Sequence, residues 1–353
     1  MTLTIDGPVL VIGCGLIGTS LAMALIEQGV AVHLADVVPA NVELAASRGA
    51  GSADPVVDPA LVVVAVPPSV SAAVVVQALA DHPSAVVTEV SSVKVDLLET
   101  LAGVTGTDRF VGGHPMAGKE RSGPMAATSL LFEGRPWAIV PLPETSPAAV
   151  ETVTAIASAI GAVPRTMDAH THDASVALVS HVPHLASVLV AGLLHDAPDG
   201  ALDLAGPGLR DVTRIAGSVT GMWLDIFSGN AAEVSRLLTT LRGSIDDALI
   251  ALDTDPQRLR ALLDAGRAGT QLIPGRHGGA SEILATVYVS VTDQPGELSR
   301  LMGDAGQSGF NIEDIRIDHE LGRLVGQVEI AVNASKADIL VTALDARGWA
   351  AHR

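Results

Sequence analysis

Three histidines occupy positions in the sequence that would suit proton transfer. His114 lies in the run VGGHPMAG behind an apolar segment, and Pro115 holds its backbone in an extended conformation. His181 and His184 belong to the run HTHDASVALVSHVPHLASVLV, which also contains Asp173. Asp173 and His184 are 11 residues apart, about three helical turns, so these side chains should lie near one helix face. Because neutral histidine accepts protons near neutral pH, the pattern predicts general acid–base chemistry.

Two alternative roles for these histidines stay open. His181 and His184 could form a buried, hydrogen-bonded pair with a purely structural role. The HxxH spacing, together with His114, could also hold a metal ion. No cysteine or carboxylate completes a recognised ligand spacing, so the sequence predicts no metal site.

Small residues flank the histidine of the VGGHPMAG run and a neighbouring strand end. Gly112, Gly113 and Gly118 are expected to leave room for a ligand beside that histidine. Ser91 and Ser92 end one strand-like segment and open a helix, where either hydroxyl could cap the helix. A capping serine can still turn toward a histidine, so Ser92 is a candidate partner of the proton acceptor.

Two arginines are spaced to bind an anion. Arg210 and Arg214 are four residues apart, which places them on one face of a helix that GPG at 206–208 would open. Positive charges in the first turns oppose the helix dipole at a cost of about 0.3–1 kcal/mol, which favours a compensating anion. That anion could be Asp203 or Asp211 of the chain itself, so a structural ion pair is the alternative.

A glycine-rich turn near the start of the chain predicts a dinucleotide site. The run GCGLIG lies between a strand-like and a helix-like segment, where its glycines allow a tight turn, close approach of a pyrophosphate and close helix packing. Asp36 follows Gly18 by 18 residues at the end of the next strand, where a carboxylate binds ribose hydroxyls and repels a 2′-phosphate. NAD is therefore favoured over NADP. The predicted cofactor contacts are Gly13, Gly15, Leu16, Ile17, Gly18, Asp36 and Pro67, although Pro67 could equally be a simple strand terminator.

The order of elements predicts three domains. Strand-like and helix-like segments alternate over residues 1–168, which predicts a mostly parallel, doubly wound α/β sheet of the Rossmann type. Residues 169–267 show helical patterns only and predict an all-α domain that carries the second group of histidines. A glycine-rich linker is predicted at 268–282. Residues 283–353 follow a βαββαβ order, which predicts a small ferredoxin-like domain.

Composition narrows the classes of partner and compartment. The 353 residues carry 39 acidic and 21 basic side chains, a net charge of −18, which disfavours nucleic acid and anionic membranes. One cysteine, Cys14, excludes an internal disulfide and a cysteine-rich zinc site. Residues 59–80 carry no charge, but two prolines inside them favour a strand, turn and helix over a membrane span. The first residues lack the features of a secretory signal, so a cytoplasmic location is expected.

Several runs together resemble the prephenate/arogenate dehydrogenase family of tyrosine biosynthesis. They are GCGLIGTS, SSVK, GGHPMAG, SHVPH and RDVTRIA followed by MW, and they cover residues 8 to about 265 in order. The tail is similar to an ACT domain, a small regulatory module that binds amino acids, through DQPGEL at 293–298 and GFNI at 309–312. The resemblance implies an NAD-dependent homodimer that converts prephenate to 4-hydroxyphenylpyruvate by oxidative decarboxylation, with arogenate as the alternative substrate.

The resemblance also implies roles for individual residues. His114 matches the histidine that binds the ring hydroxyl, Ser92 the serine beside it, and Arg214 an arginine that binds a substrate carboxylate. His184 matches a histidine near the substrate side chain, and Arg210 takes the place of a lysine that enters the partner subunit's site. Further implied substrate contacts are Trp223, Asp173 near the entrance, His181 and Glu120, which follows Lys119 where the family often has threonine.

For the tail, the resemblance implies an amino-acid effector, with tyrosine as the first candidate and phenylalanine as the second. The expected contacts are backbone N–H groups from Asp293 to Gly296 at a helix start, together with the amide of Asn311. The alternative is that this domain only strengthens the dimer.

Two rival functions fit the residues less well. A β-hydroxyacid dehydrogenase would rely on a lysine in its helical domain, but residues 170–266 contain no lysine. A non-catalytic sensor of nucleotide and amino acid would have no need of His114, Ser92 and Arg214 together. The sequence therefore favours an enzyme.

Overall fold

The structure is a computed structural model that describes residues 5–118, 122–273, 284–307, 309, 311–319 and 325–353. The chain divides into two compact units, Met1–Arg242 and Gly243–Arg353.

A seven-stranded sheet forms the centre of the first unit. Its strand order is β2-β1-β3-β4-β5-β6-β7, and the strands from β2 to β5 all pair in parallel. Strand β6 runs antiparallel to β5, and β7 is parallel to β6. The strands are β1 Val9–Ile12, β2 Val32–Ala35, β3 Leu61–Val64, β4 Val86–Glu89, β5 Phe110–Pro115, β6 Pro136–Pro141 and β7 Val163–Thr166.

Helices cover both faces of this sheet, which confirms the doubly wound prediction. One buried cluster joins Val11 of β1 to Leu21 and Ile156 of two helices, and a second cluster joins Val64 of β3 to Leu79 and its neighbours. Each fully buried Val or Leu side chain stabilises the fold by about 1.5–3 kcal/mol, which explains the uncharged strands. The helices are α1 Leu16–Glu27, α2 Pro39–Ser47, α3 Pro68–Asp81, α4 Val95–Thr100 and α5 Pro147–Ala159.

The segment after β7 is helical in its described residues, as predicted. Its α-helices are α6 Ala169–Val176, α7 Val182–Gly192, α8 Pro207–Thr213, α9 Thr220–Gly229, α10 Ala231–Thr254 and α11 Pro256–Gln271. Helix α11 is capped by Asp255, whose carboxylate accepts the Gln257 and Arg258 N–H groups, and the helix runs four residues into the predicted linker. The start of the linker at residue 268 was therefore wrong, because one glycine in a well-capped helix costs only about 1 kcal/mol. Residues 274–283 lie outside the described residues.

A π-helical turn, Ala177–His181, stands between α6 and α7. It stands directly before Pro183, which has no N–H and cannot continue a regular α-helix. The stretch Ala169–Asp196 is long and apolar enough to match a membrane span in length and composition. It also carries the buried ionisable side chains of the site described below, which are costly in a bilayer, so its length and composition are weak evidence for a membrane span.

The second unit contains a four-stranded sheet of order β11-β8-β10-β9, whose pairs are all antiparallel. Its elements are β8 Leu284–Thr292, α12 Glu297–Gln307, β9 Asp314–His319, β10 Val325–Asn333, α13 Ala337–Asp345 and β11 Ala350–His352. Alternate residues of β8 and β10, such as Val289 and Ile330, are buried with Leu301 and Leu340 of the two helices. The βαββαβ order predicted from the sequence is confirmed.

Candidate active site

His114 lies within strand β5 and pairs with Ala138 of β6. The antiparallel β6 continues the ladder as far as Pro115 and Trp137, so His114 belongs to the strand and not to a loop behind it. Strand β5 is parallel to β4, so His114 still stands at the carboxyl edge of the sheet, where ligands bind in this type of fold. Its side chain is partly exposed.

A chain of hydrogen bonds links His114 to the helical segment. The Nδ1 atom of His114 lies 2.9 Å from Nε2 of His172, and the Nδ1 atom of His172 lies 2.6 Å from Oδ1 of Asp173. The side chains of His172 and Asp173 are 1% and 2% exposed. The sequence pattern did not single out His172, although it directly precedes the predicted Asp173.

Asp173 is buried rather than near an entrance, so that part of its predicted role was wrong. Its carboxylate accepts the backbone N–H groups of Lys94, at 2.9 and 3.2 Å, and of Val95, at 2.8 Å. These N–H groups lie at the start of α4 and have no acceptor within the helix, so they favour a carboxylate. The amide of Asn230 donates to the Asp173 carbonyl at 2.8 Å and fixes the backbone as well.

Behind β5 lies a buried ion pair that the sequence motifs did not predict. The Lys94 Nζ atom is 2.6 Å from Oε1 of Glu89, and both side chains are 0% exposed. Glu89 also accepts from the Ser91 backbone N–H at 2.6 Å, from the Ser91 hydroxyl at 2.5 Å and from Gly113 N at 3.3 Å. Burial lowers the pKa of Lys94, whereas Glu89 and Asp173 act in the opposite direction.

Two of the glycines around His114 make room for protein atoms, not for a ligand. A Cβ atom on Gly112 would lie 2.9 Å from the Val140 carbonyl, and one on Gly113 would lie 2.8 Å from the Glu89 carbonyl. The expectation of ligand space at these two positions was wrong, because neighbouring strands fill it. Gly118 has no atom within 4 Å of such a Cβ and keeps open space.

The pKa of His114 is held well below its usual range. Removal of the ring from water is the largest cause, followed by His172, Lys94 and His181. The imidazole is therefore neutral at pH 7 and has a lone pair to accept a proton.

His181 and His184 face an aromatic partner in the first turn of α9 and an amide partner directly after that helix. The His184 ring stacks on Trp223 with ring centroids 3.5 Å apart and an interplanar angle of 6°. The Asn230 amide lies 3.2 Å from Nδ1 of His181, and burial is the main reason that the pKa of His181 falls from 6.5 to about 4. Burial also lowers the pKa of His184. Among the described residues, the buried indole N–H of Trp223 has no hydrogen-bond partner.

The two predicted arginines are exposed at the surface of the helical segment. Arg210 lies in the last turn of the short helix α8, and Arg214 follows the helix in a 3₁₀ turn that packs on α7. The predicted helix-dipole cost was wrong, because α8 ends at Thr213 and a cation near a helix end is favourable.

Of two further predicted residues, the structure describes Ser92 but not Glu120. Ser92 follows β4 and is partly exposed, and the hydroxyl bonded to Glu89 belongs to its neighbour Ser91. Glu120 and Lys119 lie outside the described residues.

The glycine-rich turn has the geometry expected for a dinucleotide site. Gly13 has a φ of +104°, and a Cβ atom there would lie 2.3 Å from the Ala65 carbonyl. A Cβ atom on Gly18 would lie 2.0 Å from the Gly13 carbonyl, whereas Gly15 faces open space. Helix α1 begins after Gly15 without a capping side chain, so its first N–H groups suit a phosphate.

The ends of β2 and β3 complete the predicted cofactor site. The Asp36 carboxylate follows β2 and accepts the Cys14 N–H at 2.7 Å and the Val38 N–H at 2.8 Å, which fixes its orientation beside the turn. Pro67 stands between β3 and α3. These residues fit an NAD molecule across the carboxyl ends of β1 to β3.

Comparison with known proteins identifies the family. A family model described as prephenate dehydrogenase, nucleotide-binding domain, matches residues 21–165, and one described as prephenate dehydrogenase, dimerization domain, matches residues 168–264. A relative from Streptomyces niveus, the probable prephenate dehydrogenase NovF, is 37% identical over 97% of this chain and 98% of its own length. The chain belongs to the prephenate dehydrogenase family.

Other members of the family agree in sequence and in structure. The prephenate dehydrogenase of Bacillus subtilis is 28% identical over 88% of this chain and 87% of its own length. A crystal structure of prephenate dehydrogenase from A. aeolicus, in complex with hydroxyphenyl propionate and NAD+, matches with a TM-score of 0.69 and 27% identity. That match covers 77% of this chain and 100% of the other. The enzyme class of the family is that of an NAD-dependent oxidoreductase, and NAD is its cofactor.

Proposed function

We propose that this protein is an NAD-dependent prephenate dehydrogenase, which oxidatively decarboxylates prephenate to 4-hydroxyphenylpyruvate. One observation carries the proposal beyond family membership. His114 is a neutral histidine at the carboxyl edge of the dinucleotide-type sheet. It lies on β5, the strand that pairs with β4, and Glu89 lies at the end of β4. The nicotinamide of a bound NAD would lie at this edge. A base that removes the hydroxyl proton of the substrate has to stand there as well.

The residues of this chain divide the reaction between them. NAD, when bound, would supply the acceptor for the hydride that leaves the ring carbon carrying the hydroxyl group. His114 accepts the hydroxyl proton, a contribution of roughly 10²–10⁴-fold. Loss of the ring carboxylate as CO₂ then gives an aromatic phenolate, which takes the proton back from His114, and the gain of aromaticity makes the step effectively irreversible. The turn from Gly13 to Gly18 and the start of α1 would hold the pyrophosphate, and Asp36 would bind the ribose hydroxyls.

Prephenate is favoured over arogenate by the charges in the described part of the site. Arogenate carries an ammonium group, which needs a carboxylate partner when it is removed from water. Glu89 is already paired with Lys94, and Asp173 with His172 and two backbone N–H groups. Neither offers a free carboxylate for an ammonium. Comparing kcat/KM for the two substrates tests this point, and a higher value for arogenate would reverse it.

The site residues keep their proposed roles with one change. His184 and Trp223 form a stacked pair near the substrate side chain, and the indole N–H can donate to a carboxylate. Arg214 is proposed to bind a substrate carboxylate, because bidentate guanidinium pairs suit that geometry. Ser92, His181 and Glu120 remain proposed contacts, and Asp173 moves from the entrance to the interior.

We propose a homodimer built through the helical segment, as the description of the matching family model suggests. Large apolar side chains on and beside α7, including Leu178, Val179, Leu189 and Leu193, are 59–76% exposed in the single chain. Several large exposed apolar side chains on one helical segment are typical of a protein interface. A second copy would cover it and would bring Arg210 toward the neighbouring site.

For the C-terminal sheet we propose an ACT domain with tyrosine as effector and phenylalanine as the second candidate. The sheet order and the turn at Gly296, whose φ is +96°, support this proposal. Asn311 donates one N–H to Glu313 at 2.5 Å, so its amide oxygen and its second N–H remain for a ligand. Asp293 and Gly296 precede the first turn of α12, where a carboxylate would be favoured. Truncation after Gly275 tests the proposal, since unchanged inhibition by tyrosine would place the inhibitor at the catalytic site instead.

A turnover assay with NAD and prephenate tests the function itself. We expect formation of NADH, CO₂ and 4-hydroxyphenylpyruvate in equal amounts. A non-catalytic sensor would bind the nucleotide without any turnover, and that result would refute the proposal.

A further inference from the structure

The hydrogen-bond chain from Asp173 through His172 to His114 fixes which nitrogen atoms of the two histidines carry protons. Asp173 accepts two backbone N–H groups, so its carboxylate is an acceptor on that side. In the 2.6 Å contact, Nδ1 of His172 therefore carries the proton and donates it in a hydrogen bond to Asp173. A neutral His172 then has an unprotonated Nε2, which must accept from Nδ1 of His114 at 2.9 Å.

The consequence for His114 is a fixed tautomer. Because its Nδ1 carries the proton shared with His172, its Nε2 keeps the lone pair. This is the same logic by which a buried acid orients the histidine in hydrolytic triads, with one more histidine inserted in the chain.

The burial and anchoring of the chain make this arrangement persistent. His172 is 1% exposed and Asp173 is 2% exposed, so water does not compete for their hydrogen bonds. Asp173 is tied to the start of α4, and Asn230 holds its carbonyl at 2.8 Å. Both residues lie on α6, while His114 lies on β5, so the contact joins the helical segment to the sheet.

We propose that His172 and Asp173 are positioning residues that hold His114 in the tautomer whose Nε2 accepts the substrate proton. The inference rests on the proposed function. In the step itself the substrate O–H bond breaks and an Nε2–H bond forms, while the electron pair of the adjacent C–H bond leaves as hydride to the nicotinamide. The imidazolium formed on His114 donates a strengthened hydrogen bond to His172, whose own proton stays on the Asp173 side.

Asp173→Asn is the most direct perturbation. The asparagine oxygen would accept the N–H groups of α4, which turns its NH₂ group toward His172. His172 would then carry its proton on Nε2 and donate to Nδ1 of His114, which forces the His114 proton onto Nε2. The base is lost although the shape is kept. We expect kcat to fall by roughly 10²–10⁴-fold while KM for prephenate changes less than about threefold.

The matched control is Asp168→Asn, at the start of the same helix and with the same change of charge. Asp168 caps α6 by accepting from Thr171, and asparagine caps equally well, so kcat should stay within about twofold. A kcat for Asp173→Asn within tenfold of wild type, or an equal loss in kcat and in NAD affinity, would overturn the proposal.

A second pair of variants separates tautomer control from a structural role and covers failure of Asp173→Asn to fold. In His172→Gln the amide oxygen can still accept from His114, whereas His172→Leu offers no acceptor. We expect His172→Gln to retain at least about tenfold more kcat than His172→Leu. Equal activity of these two variants would contradict the positioning role.

Nitrogen-15 NMR of histidine-labelled full-length protein gives a readout that needs no turnover. His114 is identified by comparison with His114→Asn, and its Nδ1–H tautomer is expected in wild type, with the Nε2–H tautomer in Asp173→Asn. An Nε2–H tautomer in wild type would overturn the proposal. If wild type shows the expected tautomer but does not oxidise prephenate, the proposed function fails and the assignment of the tautomer stands.

Discussion

The buried Glu89–Lys94 pair allows one prediction to be worked out in detail. Lys94→Met keeps most of the length of the side chain but leaves Glu89 as an unpaired charge with 0% exposure. Removing one partner of a buried pair costs about 3–5 kcal/mol. Glu89 keeps three donors from Ser91 and Gly113, so we expect a loss near the lower end, about 3 kcal/mol in the free energy of unfolding.

The double variant Lys94→Met with Glu89→Gln sharpens this test. Glutamine is neutral and can still accept from Ser91, so the double variant should be more stable than Lys94→Met alone. Urea unfolding of the four proteins in the cycle, followed by circular dichroism, gives the coupling between the two side chains. Lys336→Met, at an exposed lysine, is the control and should change stability by less than about 0.5 kcal/mol.

The same substitution has a second, independent effect on catalysis. The Lys94 charge is one of the causes that lower the pKa of His114, so its removal should raise that pKa. The acid limb of kcat/KM for Lys94→Met should therefore move to higher pH. If Lys94→Met unfolds within 1 kcal/mol of wild type and the acid limb does not move, the proposed energetics of this pair are wrong.

Three further predictions follow from individual side chains. Arg214→Gln should raise KM for prephenate about two- to fivefold, since an ion pair made by an exposed side chain is worth about 0.2–1 kcal/mol, while Arg165→Gln at an exposed strand position should not. Asp36→Ser should relax the preference for NAD, and equal efficiency of wild type with NAD and NADP would contradict the assignment. The pKa of His181 is about 4 in the folded state, below its ordinary value of 6.5. The unfolded state therefore binds the proton at a higher pH than the folded state does. The free energy of unfolding falls as the pH drops from 6.5 to about 4. His181→Gln should remove up to about 3 kcal/mol of that pH-dependent loss, measured by urea unfolding at pH 7 and pH 4.5.

Elements with strong local signals were predictable from the sequence. The glycine-rich turn, the alternation of strands and helices and the βαββαβ tail each depend on residues that are close in the chain. Gly13 shows why this works, because its left-handed backbone and its close approach to Ala65 are requirements of the turn itself.

Contacts between distant residues were not predictable in the same way. His114 and His172 are 58 positions apart, and only the packing of α6 on the sheet brings them together. The run EVSSVK did carry a signal, since Glu89 and Lys94 are charges within a strongly apolar region and such charges are usually paired when buried. The roles of Gly112 and Gly113 were misjudged because the space beside a glycine can be filled by a neighbouring strand.

An error in the predicted ends of a helix also led to a wrong electrostatic argument. Arg210 was placed in the first turns of a helix, but α8 is only seven residues long and Arg210 falls in its last turn. The argument from the helix dipole therefore had the wrong sign, although the proposed binding of a carboxylate by Arg214 does not depend on it. The ends of short helices are set by packing against neighbours, here by the Ser187 hydroxyl that donates to the Val212 carbonyl.

The central claim is that His114 is the proton acceptor in the oxidation of prephenate, and one measurement tests it most directly. Steady-state kinetics of wild type and His114→Asn with NAD and prephenate should be compared, together with the Kd for NAD of each protein. We predict that kcat falls by roughly 10²–10⁴-fold while the Kd for NAD stays within about twofold, because His114 lies outside the glycine-rich turn. A fall in kcat of less than about tenfold, with wild type active, would contradict the account.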